Sequence, residues 1–287
     1  MKPPPFEYFS PTSVDECVSL LAEHGEDAKL LAGGQSLVPL MNLRLAAPEV
    51  LIDLNGVAEL ARIDRSGGQL VIGAMTRHRE VASSELVREA CPLLAEAAAL
   101  IGYPAIRNRG TMGGSLSHAD PAAELPCVTT TLDAEIVVAG PGGRRSIPAP
   151  DFFAGHFTTV LEPSELLIEV RFPAHGAGPG WSFHEFSRKS GDFALVAVAV
   201  QLPGDGGSTG LAIGVGGVGD RPWRADAAEG LLADGRRNDE LFQQAAEAVG
   251  AQAREHGEGH SDNDYRGHVA ATLARRAFAT ALERTGR

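Results

Sequence analysis

The stretch KLLAGGQSLVPLMNLRLAAPEVLIDLN, residues 29–55, constrains the fold of this chain more than any other. An apolar run at 29–32 stops at Gly33-Gly34, a short helical segment is predicted over 36–45, and a second apolar run at 50–54 reads as a buried strand. A glycine pair at the end of a strand lets backbone come close to another group, because no side chain stands in the way. Upstream, FEYFSP predicts a short strand, and a helix follows, capped near Ser13 and stopped by Gly25, with Val14, Cys17, Val18 and Leu21 at helical spacing. Strand, helix, strand, helix, strand in about the first 55 residues predicts a small α/β unit.

A second unit begins after Asn55. GQLVIGAMTRHREVA predicts a strand running into a helix, CPLLAEAAALIG an apolar helix, AEIVVAGPGGRRSIPAPDFF two strands around a glycine-rich turn, and ELLIEVRFP a closing strand. PAHGAGPG, residues 173–180, is the expected linker, since most of its residues are Gly or Pro. Beyond it, WSFHEFSRKSGDFALVAVAVQLP and GLAIGVGGVGDRPWRA predict antiparallel strands, with helices over 225–232, 239–253 and 265–284. Strands followed by helices predict an α+β C-terminal domain.

Composition narrows the function classes. The net charge of -12 and a pI near 5.2 argue against a nucleic-acid or anionic-membrane surface, which would need a basic face. Cys17, Cys91 and Cys127 are far apart and form no CxxC pair, so no iron-sulfur cluster is expected on this chain. MKPPPFEYFSP has no signal-peptide core and no apolar run reaches the roughly 18 residues of a membrane span, so a cytoplasmic protein is expected.

A second glycine cluster, RNRGTMGGSLSHADPAAELP at 107–126, carries Gly110, Gly113 and Gly114 among Thr, Ser, Asn and Asp. Successive amides in tight turns make a concave nest for an anion, and phosphate is the natural guest. Two clusters predict that the amides of Gly33 to Ser36, at a helix N-terminus, and those of Thr111 to Ser115 hold one diphosphate from opposite sides. A tight structural turn is the competing reading of each cluster.

Other motifs carry less. Gly214-Val-Gly216-Gly217-Val-Gly219 fits GxGxxG but runs into Asp-Arg-Pro-Trp instead of opening a helix, so a glycine-rich strand or bulge is expected. His256 and His260 in HGEGH are spaced like a metal pair, yet the interleaved glycines predict a loop and no metal. His118 and Asp120 stand as an acid-base pair or as hydrogen-bonding partners of a bound cofactor. No GxSxG elbow is present, and no catalytic residue is assigned.

LLAGGQSLVPLMNLRLAAPEVLIDLN and IRNRGTMGGSLSHADPAAELP closely resemble the two signature segments of the FAD-binding medium subunit of the molybdenum hydroxylases, the family of carbon monoxide dehydrogenase and xanthine dehydrogenase. The opening PPPFEYFSPTSVDEC, ELLIEVRFP, RKSGDFALVAVAV and YRGHVAATLARRAF resemble the same family in the same order. The resemblance implies an α+β protein: a two-subdomain FAD-binding domain of the vanillyl-alcohol-oxidase type at 1–175, divided near residue 55, followed by a smaller α+β domain at 176–287. It implies an FAD-dependent oxidoreductase subunit that holds FAD noncovalently and has no metal site of its own. Matched residue by residue, Ala32, Gly33, Gly34, Gln35, Ser36 and Leu37 fall on the first pyrophosphate loop, and Thr111, Met112, Gly113, Gly114 and Ser115 on the second. Asp120 and Glu124 fall in the polar segment along the FAD, and Leu166 or Leu167 on a residue whose backbone approaches the flavin ring.

One departure stands out. Several members of the family carry a lysine just before the SGDFA region, and here that place falls on Glu185 or Phe186, with Arg188 or Lys189 as substitute cations. The resemblance implies partners as well: a large molybdopterin-binding subunit and a small subunit with two-iron clusters, in a dimer of heterotrimers. The flavin would deliver electrons to NAD, oxygen or a quinone. The rival expectation is a self-sufficient flavin oxidase of a small alcohol or sugar, with His118 as base, and a third is a nucleotide-binding scaffold without redox activity.

Overall fold

The structure is a computed structural model and describes residues 2–173, 178–204, 209–259 and 261–286. The first unit is a three-stranded sheet. It runs β1 (Glu7–Phe9), α1 (Val14–His24), β2 (Ala28–Leu31), α2 (Leu37–Asn42) and β3 (Val50–Asp53), with β3 central and parallel to both neighbours. The Ser13 hydroxyl accepts the Glu16 N–H at 3.2 Å and starts α1, and Gly25 ends it at φ +53°. Val14, Cys17 and Leu21 then face Val50 and Ile52.

The second sheet is antiparallel. Its strands are β4 (Ile63–Ser66), β5 (Gln69–Gly73), β6 (Glu135–Gly140), β7 (Gly143–Pro148) and, after the small hairpin of β8 (Phe153–Gly155) and β9 (Thr158–Thr159), β10 (Leu166–Pro173). The order β4-β5-β10-β6-β7 puts β10 in the centre. Its register against β6 shifts between Leu167 and Glu169. The irregularity redirects alternation: Leu166 and Ile168 face the first unit, whereas Leu167, Val170 and Phe172 face the helical side. Helices α3 (His78–Ser83), α4 (Glu85–Ala90), α5 (Pro92–Leu100), α6 (Pro104–Arg107), α7 (Met112–His118), α8 (Glu124–Thr131) and α9 (Ala149–Phe152) complete this part.

The third sheet is β11 (Gly180–Phe186), β12 (Val196–Leu202), β13 (Ala212–Gly216) and β14 (Trp223–Arg224), antiparallel in that order. Strand β12, VAVAVQL, divides by side-chain size. Val196, Val198, Val200 and Leu202 face α10 (Asp226–Leu232), α11 (Asp239–His256) and α12 (Asn263–Arg284), while Ala197 and Ala199 share a core with α5 and α8. Small residues bring α8 close. A Cβ on Gly216 would stand 3.1 Å from Cβ of Cys127, and one on Gly214 would overlap Thr131, so the GxGxxG run is packing glycine on a strand.

Sequence and structure differ locally. The helix predicted over 36–45 is shorter, and the strand β4 and the helices α7 and α8 were not predicted. Residues 174–177 of the expected linker lie outside the described residues, as does His260; His256 stacks on the Trp223 ring at 4.3 Å.

Candidate cofactor cleft

Glycines let the β2–α2 turn pack on the Arg109–Gly110 backbone ahead of α7, and let α7 itself pack on Ala74 after β5. A Cβ on Gly33 would overlap the Arg109 carbonyl, and one on Gly113 would stand 2.7 Å from the Ala74 Cβ. Gly34 turns the chain at φ +72°, a conformation that costs other residues strain. A polar network holds the two segments from behind. Asn55 Nδ2 donates to the Ala32 carbonyl at 3.1 Å, and the Arg77 guanidinium bridges Asn55 Oδ1 and the Arg109 carbonyl.

In front of this junction lies a cleft of about 820 Å³, at the upper end of the size range of small-molecule sites. Ala32, Gly33, Gly34, Gln35, Ser36, Leu37, Thr111, Gly113, Gly114, Ser115, Asp120, Glu124, Leu166 and Leu167 all line it. Two of the expected residues do not. Met112 points into the core and is fully buried, because α7 turns that side chain away from the cleft, and Lys189 sits on an exposed loop outside the lining.

The two clusters offer different groups. Among the described residues, the backbone N–H groups of Gly33, Gly34, Gln35, Ser36 and Leu37 have no acceptor. Gln35 Nε2 caps the Gly33 carbonyl at 3.1 Å, which fixes the turn without occupying those amides. The second cluster was expected to present amides too, and there the structure corrects the reading. Met112 N–H donates to the Thr76 carbonyl at 3.0 Å, Gly113 to Ala74 at 2.8 Å, Ser115 to Thr111 at 3.1 Å, and Gly114 to Thr111 Oγ1 at 3.2 Å. Those donors are spent on the second sheet and on the helix cap. What this side gives the cleft is hydroxyls, from Thr111, Ser115 and Ser117, and the glycine surfaces that admit a ligand. Nor does the short α2, six residues long, supply much dipole; its free amides do the work.

Charge is arranged to suit. Lys29 is the only lysine or arginine among the described lining residues, so the unpaired amides are the main positive feature at the Gly33–Leu37 end. The far end is acidic. Asp120 Oδ1 accepts the Ala122 N–H at 2.9 Å, and Glu124, on the N-terminal turn of α8, is buried with its carboxyl pushed up to about 8 by desolvation. Glu185 on β11 adds to that shift, and burial raises its own carboxyl to about 7. Near neutrality the Glu124 carboxyl is therefore mostly protonated and can donate a hydrogen bond.

His78 is buried with Nε2 2.9 Å from the Thr111 carbonyl, and burial lowers its pKa to about 4, so it is a neutral support of the second segment. His118 packs on the Phe157 ring at 5.0 Å, and burial lowers its pKa as well. Sequence reading missed His78, Phe157, Leu161 and Phe193 as lining residues. The aromatic pair carried no signal, since each sits singly in a loop with no periodicity around it.

The free amides, the glycine junction and the large, partly polar-lined cleft together fit a long ligand with a diphosphate. Comparison with known proteins gives a matching account. The family model described as "FAD binding domain in molybdopterin dehydrogenase" matches residues 4–175, and "CO dehydrogenase flavoprotein C-terminal domain" matches 181–281. The chain is 41% identical to the carbon monoxide dehydrogenase medium chain of Hydrogenophaga pseudoflava, over 99% of both chains. It is 42% identical to the 6-hydroxypseudooxynicotine dehydrogenase complex subunit alpha of Paenarthrobacter nicotinovorans, over 99% of this chain and 97% of that one. Superposition on a solved carbon monoxide dehydrogenase of Hydrogenophaga pseudoflava, one that lacks the Mo-pyranopterin moiety of its molybdenum cofactor, gives a TM-score of 0.93 at 42% identity, over 99% of this chain and 100% of that one.

Proposed function

From the premise that this chain belongs to the FAD-binding medium subunits of the molybdenum hydroxylases, we propose that it is the flavin relay of a three-subunit oxidoreductase. It takes electrons from iron-sulfur clusters of a small partner subunit and passes them to an external acceptor: NAD, oxygen or a quinone. Molybdopterin chemistry and substrate choice belong to a large partner subunit, and the assembly is a dimer of such heterotrimers. The observation that carries the reading is the row of unpaired amides from Gly33 to Leu37 at one end of the cleft.

Flavin supplies the redox chemistry when bound, because it exchanges electrons singly or in pairs. The chain's residues bind and orient. Amides of Gly33 to Leu37 hold the diphosphate through charge-assisted hydrogen bonds, with Thr111 and Ser115 on the opposite wall. Asp120 and Glu124 would meet the polar chain beyond it, and the backbone at Leu166 or Leu167 would border the ring. Glu185 or Phe186 falls where several relatives carry a lysine, so the chain is expected to hold its flavin without a lysine at that place. The self-sufficient oxidase is not favoured, since the similar proteins are subunits of dehydrogenase complexes.

The purified chain, incubated with FAD and desalted, is expected to show a flavin absorption spectrum at near one-to-one stoichiometry, released on denaturation. Co-expression with its large and small partners is expected to give one complex on size exclusion. A chain that neither takes up flavin nor joins the partners would refute the relay.

A further inference from the structure

Among the described residues, the cleft has one lining residue from beyond residues 174–177. The loop between β11 and β12 is closed at its base, where the Leu195 N–H donates to the Phe186 carbonyl at 2.7 Å. Inside it, Ser187 Oγ and the Asp192 N–H both donate to the Lys189 carbonyl, at 2.9 and 3.0 Å, which folds the segment into a compact turn. At its end stands Phe193, 60% exposed and lining the cleft. A ring exposed at the cleft wall offers apolar contact to a ligand seated there.

Tyr103, just before α6, reaches across to this loop. Its hydroxyl donates to the Ser190 carbonyl at 2.9 Å, and its ring lies so close under Gly191 that a Cβ there would stand 2.7 Å from ring carbon Cζ. Gly191 also has φ +85°, so glycine sits where the loop both turns left-handed and receives the ring. On the other side, Arg266 of α12, held by Asp262, donates to the Leu195 carbonyl at 3.0 Å and the Gly217 carbonyl at 2.7 Å. The loop is anchored to its own sheet by Arg266 and to the FAD-binding domain by Tyr103.

We propose that Tyr103 is a positioning residue: by clasping Ser190 and Gly191 it holds Phe193 at the cleft wall and slows the escape of bound FAD. The inference rests on the flavin reading and extends it, because retention then depends on a side chain that is not part of the cleft lining.

The test is the rate of FAD release from the loaded full-length chain, followed by flavin fluorescence after dilution. Tyr103→Ala and Phe193→Ala are each expected to release FAD about tenfold faster, roughly the loss of one aromatic contact. The double variant should be no faster than the faster single one, since both act through one ring. Tyr103→Phe keeps the ring under Gly191 and should stay within about threefold of wild type, and Gly191→Val should behave like Tyr103→Ala. Apo thermal midpoints should be unchanged for the Tyr103 and Phe193 variants. A Tyr103→Ala chain that releases FAD at the wild-type rate, or effects of Tyr103 and Phe193 that multiply, would overturn the clasp. Tryptic cutting after Arg188 and Lys189 in the apo chain reads the clasp without flavin: it should speed up in Tyr103→Ala and not in Tyr103→Phe, and an unchanged rate overturns it. A wild-type chain that takes up no FAD, either alone or assembled with its partner subunits, overturns the functional reading itself, and with it the role in retention.

Discussion

At Gly33 the missing side chain makes room for protein before it makes room for ligand. A Cβ there would overlap the Arg109 carbonyl, whereas at Gly34 it would meet only Val38 and Leu31, at 3.2 and 3.3 Å, with φ +72° as the main cost. Gly33→Ala is therefore expected to destabilise even the flavin-free chain, by about 1–3 kcal/mol of overpacking, and Gly34→Ala by about 1–2 kcal/mol of left-handed strain. Urea unfolding of the apo proteins checks this, and a Gly33→Ala chain of wild-type stability would mean that the glycine serves the ligand alone. A ligand-loop glycine and a packing glycine look alike in sequence, which is why Gly33 and Gly113 were legible as important but not as contacts with Arg109 and Ala74. Glu124 was legible as a site residue, but its burial was not. Its folded pKa, about 8, lies above the unfolded value near 4.5, so the stability it contributes is full below that value and is lost as pH rises through about 8. Glu185 acts in the same direction up to about 7. Glu124→Gln should therefore narrow the gap between the apo thermal midpoints at pH 5 and pH 8.5, and a gap as wide as wild type's would show that Glu124 does not carry that dependence.

Among the elements, α8 decides how the sheets come together. All eight of its residues are buried, so it has no polar face to mark it as a surface helix. Its sequence, ELPCVTTT, combines a proline with a β-branched run, and both count against a helix by propensity. Pro126 is tolerated because it lies in the first turn, where an N–H would have no helical acceptor. Thr129 and Thr131 donate their hydroxyls to the carbonyls of Leu125 and Cys127, at 2.9 and 2.7 Å, and so remain satisfied in the interior. Strands with alternating or wholly apolar runs were readable, and α8 was not, since tertiary burial overrides its local preference. Arg224 ties its C-terminal end to the third sheet: the guanidinium pairs with Glu229 and Asp133, each at 2.7 Å, and donates to the Thr131 carbonyl at 3.0 Å. Glu229 in turn accepts the Ile213 N–H at 2.8 Å. Removing Arg224 strands the Glu229 carboxylate and the carbonyls of Thr131 and Leu211, so Arg224→Ala is expected to cost about 3 kcal/mol. A loss below about 1 kcal/mol in chemical denaturation would show that the pairs are no stronger than surface ones.

Across the whole molecule, the sheets do not own separate cores. Phe183, Ala194, Ala197 and Ala199 of the third sheet and the loop before it lie in one apolar cluster with Leu93, Leu94, Leu125 and Val128 of α5 and α8. Val137, Ala139, Leu166 and Ile168 of the second sheet do the same for the first unit, beneath α1. Arg284 near the end of α12 adds a polar tie, pairing with Glu96 of α5 and lying over the Trp181 ring at 5.4 Å. Gly and Pro led the sequence reading to expect a division near residues 173–180. They could not show that small residues of β12 would bury themselves on the other side of it. We therefore propose two units by chain order and one by cooperativity. A fragment ending near residue 173 would expose the apolar faces of α5 and α8, and one starting near residue 178 would expose the alanine face of β12. Neither loss is offset within its own fragment, since the helices α11 and α12 already cover the opposite face of that sheet. The full chain is thus expected to unfold in urea as a single transition, with fluorescence of Trp181 and Trp223 and far-ultraviolet circular dichroism following one curve. The separate fragments should aggregate or stay unfolded until mixed. Two resolved transitions, with soluble fragments that each keep native circular dichroism, would mean that the shared cluster around α8 adds little and that the division near residue 175 is energetic as well as topological.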